Sequence, residues 1–568
     1  MNNFLEQSAE ICKSFFNLSS GQFDCNFTLY TDGISIFEKS NLSIWPIYMV
    51  FNDIPYSFRY KLENIAIVGI YFGNVKPNMQ ILFQKAFTPY LSYLNNFYSY
   101  KNISFRYIFK YLVCDKPAKS MCLNFQSHNA SFFCPLCTAT SKVEFIENIR
   151  HCYIPLSVMF NSERRTHSGF LALAYSAECT KLPDYGVKGL CFLANINTFD
   201  AISSNVIDYM HSICLGVIKR SIELILKKAD VRSKFLKLKD FVNLIKIPSF
   251  VPVHCIDLLC MAKWKAKDFR FFLFYISPLL EDVDLHSYHL MFNSLRKGLI
   301  VLFNSPISSN DSNISQLCFK RFLLTFSNLF GKHNITSNFH DLVHLPSIAL
   351  TTGPLYEFSS FNFEHLNGRL RKLCKGNKRL DKQILFKIQI FFQSLKPNDI
   401  CDQNLVNFIN DIKPNKVWKR TLSIDLNSYL CGKGKCSSLD SEKSSLISSH
   451  LSTVNHVNQY SRAVINFQKI STVSYDSNKK KSHSIFISKD KKLCVKVLDI
   501  LSMTGDENQL FYFAFCQKYV LKSLYFNVFS TDNSNQRLFI RLTDFFSFYE
   551  PAISFKNYIF PIINNEKF

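Results

Sequence analysis

Two pairs of candidate metal ligands, far apart along the chain, place the strongest constraint on how this sequence folds. Cys134 and Cys137 form a Cys-x-x-Cys motif, and His340 and His344 form a His-x-x-x-His motif. The first motif brings two thiolates to one turn, and the second puts two imidazoles on one face of a helix. Because 203 positions separate Cys137 from His340, one structural zinc ion bound by all four residues would join remote segments and couple metal binding to folding.

Each pair also has a simpler interpretation. In a chain with 19 cysteines, a Cys-x-x-Cys motif arises readily by chance, and His344, before Leu345-Pro346, also suits a histidine of the core. A redox role for the cysteines is disfavoured because no thioredoxin-like helix start follows them. The odd cysteine count and the lack of an opening basic and apolar signal segment predict a reducing intracellular compartment.

The size and charge of the chain indicate a globular protein with an anionic partner. Its 568 residues are enough for two or three domains, and 47% hydrophobic against 19% charged residues exclude a disordered chain. The net charge of +23 favours a polyanion such as nucleic acid, although a general drift toward lysine explains it as well. The most apolar stretches, such as Phe271–Leu280, are too short to span a bilayer, so we expect no membrane partner.

Hydrophobic periodicity predicts strands first and helices later. Strand-like runs occur at Phe23–Tyr30, Ile44–Phe51, Ile65–Tyr71, Phe105–Cys114 and Gly186–Leu193, with a helix over Asn78–Phe97 between the third and fourth. Residues 205–340 have mainly helical spacing, and further helices are predicted at Phe361–Leu373 and Ile384–Leu395. After residue 463, short aromatic and β-branched runs between turn signals predict a small β-rich module.

Three acidic residues lie where a two-metal nuclease would need them. Asp32 follows the first predicted strand, Asp115 follows the fourth, and Glu364 lies on a predicted helix. Phosphoryl transfer on nucleic acids commonly uses two divalent cations ~3.5–4 Å apart, held by carboxylates from separate elements. Taken singly, each aspartate also suits a turn or a helix cap, and Glu364 suits a solvated helix position. Their joint order with the cysteine and histidine pairs favours the metal-binding interpretation.

Several motifs follow one another in a fixed order over roughly residues 20–395. They are Leu-Tyr-Thr-Asp-Gly-Ile-Ser-Ile-Phe-Glu-Lys-Ser-Asn-Leu-Ser-Ile-Trp-Pro-Ile at 29–47, Cys-Asp-Lys-Pro-Ala at 114–118, Cys-Pro-Leu-Cys at 134–137, Asp-Tyr-Met-His-Ser-Ile-Cys-Leu-Gly-Val at 208–217, Lys-Trp-Lys-Ala-Lys-Asp-Phe-Arg at 263–270, His-Asp-Leu-Val-His-Leu at 340–345, Gly-Pro-Leu at 353–355 and Phe-Glu-His-Leu-Asn-Gly at 363–368. In combination and order they resemble the catalytic region of CACTA-type DNA transposases.

The resemblance implies an α/β fold with an RNase H-like core, a mixed five-stranded sheet flanked by helices, and a large, mostly helical insertion before the Glu-bearing helix. The recombinase of vertebrate antigen-receptor genes shares this plan. The resemblance also implies that Asp32, Asp115 and Glu364 form a catalytic triad holding two Mg²⁺ or Mn²⁺ ions, and that one structural Zn²⁺ is bound by Cys134, Cys137, His340 and His344. In that family the cysteine pair follows the second aspartate, and the histidine pair precedes the glutamate, at short intervals; here the intervals are 19 and 20 positions.

These patterns together predict a domain order. It comprises an N-terminal extension (1–20), the first part of the core with the Cys-x-x-Cys motif (21–200), the helical insertion (201–339), the His pair and Glu-bearing helix that complete the core (340–400), a linker (401–460) and a small β-rich domain (461–568).

Basic residues cluster beside Glu364, at Arg369, Arg371, Lys372, Lys375, Lys378 and Arg379. Phosphate contacts from such a cluster would position duplex DNA without reading its sequence, and a solvated helix face is the alternative. Four further residues keep open roles. Asp208 and His211 either line the approach to the acids or cap a helix. Trp264 and Arg270 are either core and ion-pair residues or contacts to distorted DNA near the cut.

We therefore expect a nuclear, metal-dependent DNA transposase that cuts double-stranded DNA at element ends and joins the freed 3′-hydroxyls to target DNA, with a homodimer to synapse two ends. A catalytically inactive, transposase-derived DNA- or chromatin-binding protein is the alternative, and a general nuclease of the same fold is a weaker one. No zinc finger or helix-turn-helix motif lies in the 31 residues before Asp32. Three explanations stay open: the sequence is truncated, it is a decayed copy, or the C-terminal module or a partner chain targets DNA.

Overall fold

The structure, a computed structural model, has a mixed α/β fold. It describes residues 4–36, 42–242, 244–251, 253, 257–373, 379–394, 420–425, 427–479, 481–505, 509–525, 527–532, 536–555 and 558–563. The chain divides into two compact units. The first comprises Met1–Lys227 and Leu290–Asp402, and the second comprises Lys228–His289 and Gln403–Phe568. Within the described ranges, no helix has both the length and the apolar character needed to cross a bilayer.

The strands are β1 (Gly21–Thr31), β2 (Ile34–Ser35), β3 (Ser43–Phe51), β4 (Ile65–Gly73), β5 (Tyr98–Tyr100), β6 (Ile103–Val113), β7 (Lys142–Ile146), β8 (Ile149–Tyr153), β9 (Arg420–Ser423), β10 (Tyr429–Cys431), β11 (Lys435–Cys436), β12 (His456–Tyr460), β13 (Arg462–Ile465), β14 (Gln468–Ser471), β15 (Ile485–Ser488), β16 (Leu493–Thr504), β17 (Leu510–Tyr525), β18 (Val528–Thr531), β19 (Arg537–Arg541), β20 (Tyr549–Phe555) and β21 (Tyr558–Pro561).

The α-helices are α1 (Phe4–Phe16), α2 (Tyr56–Arg59), α3 (Met79–Phe87), α4 (Leu91–Asn95), α5 (Lys116–Cys122), α6 (Leu156–Asn161), α7 (His167–Thr180), α8 (Lys219–Lys227), α9 (Ala229–Leu236), α10 (Leu238–Val242), α11 (Ala266–Phe271), α12 (His286–Val301), α13 (Ser309–Phe330), α14 (Ser337–Thr352), α15 (Phe361–Leu373), α16 (Leu380–Ser394), α17 (Ser441–Ile447), α18 (Val473–Asp476) and α19 (Phe545–Phe548). A π-helical segment, Met210–Ile218, runs directly into α8.

A six-stranded mixed sheet forms the centre of the first unit. Its strand order is β2-β3-β1-β6-β5, and β4 pairs with β3. The neighbours β1 and β6 are parallel, whereas the other pairs are antiparallel. The expected sheet was mixed with five strands; four of the predicted strands are present, and the short β2 and β5, which pair at its edges, bring the number to six.

Both faces of this sheet are buried, and β1 contributes to both cores. Phe27 and Leu29 belong to the core on one face, together with residues of α1, α3 and α7. Tyr30 belongs to the core on the other face, together with Phe363 and Leu366 of α15. Because successive side chains of a strand point to opposite faces, this alternation makes β1 a central strand of a three-layer arrangement.

The four strands predicted before residue 115 are present, but two other predictions need correction. The predicted helix Asn78–Phe97 is split into α3 and α4 by a 3₁₀ turn at Thr88–Tyr90, where Pro89 removes a backbone donor. The predicted strand Gly186–Leu193 forms only isolated bridges, since Gly186 and Gly189 adopt φ values of +89° and +145°. Asn205 instead forms a parallel bridge with Leu112 of β6.

The second unit is rich in strands. Its sheets are a four-stranded one of order β14-β13-β10-β9 and a nine-stranded one of order β11-β12-β16-β15-β20-β21-β18-β17-β19. Part of the predicted linker, residues 401–419, lies outside the described residues. The remainder, residues 420–460, contains β9–β12 and α17. The segment 228–289, predicted as part of the helical insertion, groups with this unit and not with the sheet of the first.

Candidate functional site

Four buried side chains of the first unit, two cysteines and two histidines, converge on one point. Cys134 and Cys137 lie in the loop between α5 and β7, and His340 and His344 lie one turn apart on α14. Their ligand atoms are all within 4.8 Å of one another. Cys134 Sγ is 3.4 Å from His344 Nε2, and Cys137 Sγ is 3.2 Å from His340 Nε2. A tetrahedral zinc site with bonds of ~2.0–2.3 Å separates its ligand atoms by about 3.3–3.8 Å, so these residues can hold a metal ion.

Arg165 fixes the shape of the cysteine loop. Its Nε donates to the carbonyl oxygens of Cys134 and Cys137 at 3.2 and 2.9 Å, and its Nη2 donates to Tyr185 O at 2.7 Å. The backbone N–H of Arg165 also donates to Leu136 O. Since this guanidinium is buried, it brings a positive charge close to the thiols, which bind metals as thiolates.

The protonation states of the cluster suit a metal. Hydrogen bonding with Cys134 is the main cause that lowers the pKa of the Cys137 thiol, and the nearby arginines add to the effect. Burial lowers the pKa of His344, which favours the neutral imidazole that ligates metals. The Nδ1 atoms of His340 and His344 are buried and have no partner among the described residues. The outer acceptors that often orient metal-bound histidines are therefore not seen here.

The ends of two parallel strands place Asp32 and Asp115 side by side. β1 and β6 are neighbours, and their register pairs Tyr30 with Val113. Asp32 and Asp115 each follow that pair by two residues, and Asp115 has an extended backbone conformation. The two acids therefore end strands ~4.8 Å apart at the same level. The cap interpretation of Asp115 also holds, because its Oδ1 accepts a hydrogen bond from Ala118 N at 2.7 Å.

The environment of Asp32 disfavours its negative charge. Burial, and next the charge of Asp115, raises the pKa of Asp32 to about 6, although His211 opposes the shift. The carboxylate accepts hydrogen bonds from Gly33 N at 2.7 Å and from Tyr30 Oη at 3.4 Å. Two close carboxylates that repel each other are a donor set that a hard divalent cation would stabilise.

Asp208 and His211 form a polar link between Asp32 and the start of α15. Asp208, which is buried, accepts hydrogen bonds from His211 Nδ1 at 2.6 Å and from Ser360 N at 2.9 Å. His211 Nε2 lies 4.0 Å from Asp32 Oδ2. Burial alone would raise the pKa of Asp208, but the hydrogen bond and charge of His211 lower it. Burial alone would lower the pKa of His211, but its bond to Asp208 and the surrounding carboxylates raise it to about 9.

Asp208 also accepts hydrogen bonds from Met210 N and His211 N at 3.2 and 3.1 Å, which caps the π-helical segment. The capping interpretation of this motif is therefore confirmed, and its role in lining the approach to the acids stays a prediction. Asp208 caps a helix, whereas His211 faces the acidic site.

α15 carries Glu364 and packs against β1. The ring of Phe363 stacks on Tyr30 with centroids 4.0 Å apart and an interplanar angle of 3°. One turn later, Asn367 Nδ2 donates to Tyr30 Oη at 3.2 Å. Since Tyr30 precedes Asp32 by two residues on β1, this packing holds the Glu364 helix on the Asp32 face of the sheet. Glu364 itself is exposed.

The two parts of the site are joined by Asp341, which the sequence reasoning did not single out. Asp341 lies between the two histidines of α14, and its Oδ2 is 3.0 Å from Lys116 Nζ. The same oxygen accepts a hydrogen bond from Ser212 Oγ at 2.5 Å. Lys116 directly follows Asp115, and Ser212 directly follows His211. The position of Asp341 inside the His-x-x-x-His motif is the one sequence signal that could have indicated it.

The remaining candidates are the basic residues that follow Glu364, some of them outside the described residues, and Trp264 and Arg270. Arg369, Arg371 and Arg379 are exposed. The structure does not describe the side chain of Lys372 or any part of Lys375 and Lys378. Trp264 and Arg270 belong to the second unit, and both side chains are buried. Trp264 packs against Phe269 and Phe272, as the core interpretation of that residue predicts.

Comparison with known proteins adds no assignment, since no protein-family model matches the chain and no curated protein matches it either.

Proposed function

We propose that the chain is a metal-dependent polynucleotidyl transferase of the Asp-Asp-Glu type, a DNA transposase with an RNase H-like core. The observation that carries the proposal is the pair Asp32 and Asp115, which end adjacent parallel strands at one level. Burial, and next the negative charge of Asp115, raises the pKa of Asp32 to about 6. The packing of Phe363 on Tyr30 holds the Glu364 helix to the same strand. Two-metal phosphoryl transfer requires carboxylates on rigid elements. Asp32 and Asp115 meet this requirement, and the exposed Glu364 would have to turn toward them when the cations bind, since the described residues form no metal-binding cluster of these three acids.

Two kinds of metal ion have different places in this proposal. Asp32, Asp115 and Glu364 would hold Mg²⁺ or Mn²⁺, because carboxylate oxygens are the ligands that these cations prefer. Such cations activate the attacking hydroxyl and stabilise the leaving oxygen. The Cys134, Cys137, His340 and His344 cluster would hold Zn²⁺, and since four protein ligands leave no open position, that ion would be structural.

The chain's own residues would bind and orient the DNA. Exposed Arg369, Arg371 and Arg379 are suited to phosphate contacts that position a duplex without reading its sequence. The net charge of +23 supports double-stranded DNA as the partner. Synapsis of two element ends would require two copies of the chain, and a chromosomal DNA substrate would require the protein to act in the nucleus.

A plasmid-nicking assay with the full chain tests the proposal. Asp32→Asn, Asp115→Asn and Glu364→Gln should each abolish Mg²⁺- or Mn²⁺-dependent nicking and leave DNA affinity within about twofold, because only the carboxylate charge is removed. Asp24→Asn is a matched control, since Asp24 lies at the other end of β1 and pairs with Arg106 at the surface. Unchanged nicking by any of the three variants would refute that residue's assignment.

A DNA-binding protein without catalytic activity is the second candidate. It is favoured by the hydrogen bond from Ala118 N to Asp115, because a helix cap explains an aspartate there without any chemistry. Binding of DNA by the unaltered chain, with no nicking at any divalent cation concentration, would select this candidate.

A further inference from the structure

A narrow cavity lies between the end of β6 and the cysteine loop. Its polar lining includes Asp115, Lys119, His128, Asn205 and His211, together with Lys116, Ser120, Asp208, Ser212 and Asp341, and apolar side chains and cysteines form the rest of its walls. It adjoins one acid of the proposed site and is separate from the exposed face of α15.

Asn205 is the residue of this cavity that most needs a ligand. Its side chain is 2% exposed, and neither Nδ2 nor Oδ1 has a partner among the described residues. The backbone around it is fixed, because Leu112 N donates to Ser204 O at 2.7 Å. A buried amide without partners is unfavourable, so a polar ligand that reaches both atoms would be held firmly.

The size of the cavity decides what that ligand is. The volume is about 40 Å³, and one water needs roughly 10–15 Å³ of such space, whereas a cavity that binds benzene measures ~150 Å³. The space therefore suits about three water molecules and is too small for a nucleobase. Water can both donate to Asn205 Oδ1 and accept from Nδ2, which a metal cation cannot do.

We propose that Asn205 orders a small group of buried water molecules beside Asp115, and that these waters supply the attacking oxygen when the chain hydrolyses DNA. The hydrolytic part rests on the proposed function. In that step the water oxygen forms a bond to phosphorus, and the bond from phosphorus to the 3′ oxygen breaks. The leaving 3′ oxygen takes up a proton, and the attacking water releases one to solvent.

Crystallography of the full chain tests the water site without any activity. We expect ordered waters within hydrogen-bonding distance of both amide atoms of Asn205, and their loss in Asn205→Leu, whose side chain has a similar shape. An amide satisfied by protein groups, or a cavity filled by neighbouring side chains, would overturn the proposal.

A comparison of two reactions tests the hydrolytic role. Nicking uses water, whereas joining of pre-cut ends uses a DNA 3′-hydroxyl. Asn205→Leu should therefore slow nicking at least tenfold and change joining by less than twofold. The control is Asn334→Leu, because the buried amide of Asn334 already binds Arg220 and Phe330 O; it should affect both reactions alike.

Equal losses of nicking and joining in Asn205→Leu would overturn the hydrolytic role. If the unaltered chain neither nicks nor joins, the proposed function fails and the hydrolytic role fails with it. The crystallographic result then still decides whether the water site exists.

Discussion

Removal of a metal ion from the cluster of Cys134, Cys137, His340 and His344 should lower the free energy of unfolding of the first unit. The length of the loop that the metal closes sets the size of this effect. A metal bound by both pairs closes a loop of 203 positions, and where the metal stays bound to the unfolded chain, a cross-link over such a loop removes about 5 kcal/mol of unfolded-state entropy at 25 °C. The first unit has about 340 residues, and unfolding entropy near 2.1 cal/mol/K per residue converts this free energy to a fall in Tm of about 7 °C.

Scanning calorimetry with and without a zinc chelator measures this shift. We expect one zinc per purified chain by elemental analysis, a Tm lower by several degrees after chelation, and recovery on adding Zn²⁺. His344→Ala should carry no zinc and should not respond to the chelator. His333→Ala is the control, since His333 lies before α14 and outside the cluster. A purified chain without zinc, or a zinc-loaded chain whose Tm the chelator moves by less than 1 °C, would refute the reasoning.

Three further perturbations follow from individual contacts. Phe363→Ala removes a fully buried ring and should cost about 3–5 kcal/mol in urea unfolding, together with nicking; a cost below 1 kcal/mol would contradict the packing of α15. Asp341→Asn breaks the ion pair with Lys116 and should reduce nicking while zinc content stays at one per chain; loss of zinc would show that Asp341 supports the metal instead. Burial lowers the pKa of His483 from 6.5 to about 4. As the pH falls, the unfolded chain therefore takes up a proton at this residue before the folded chain does. Stability in unfolding assays should then be constant above pH 6.5 and fall by about 2 kcal/mol at pH 5, a loss that His483→Gln should remove.

Local patterns sufficed for the elements whose signals are local. The predicted helix Phe361–Leu373 has those same bounds in the structure, and the predicted strand Phe105–Cys114 corresponds to β6, because each has a strong apolar period of its own. The prediction of a strand at Gly186–Leu193 was wrong, because the local apolar pattern does not decide the backbone conformation of this segment. Its apolar residues suggest a strand, but two glycines with positive φ turn the chain away from the sheet.

The site was predictable where a motif carries its ligands within a few residues, as in the cysteine and histidine pairs. The residues that connect the site were not. Arg165 reaches the cysteine loop from 28 and 31 positions away, and Asp341 meets Ser212 across 129 positions. No period or spacing relates such residues, because their contacts exist only after the strands and helices have packed. Asn205 was not predicted either, since one residue that forms an isolated β-bridge leaves no pattern in the sequence.

The contacts of Asp341 imply that a metal in the cysteine–histidine cluster affects the acidic site without touching DNA. α14 supplies His340 and His344, and Asp341 between them binds Lys116, next to Asp115, and Ser212, next to His211. The adjacent Asp208 in turn binds the backbone at the start of α15. A metal that orders α14 therefore orders, through these bonds, the segments that position all three acids. Loss of the metal should consequently reduce nicking more than DNA binding, because Arg369 and Arg371 lie in the second half of α15, further along the helix than the end that Asp208 holds.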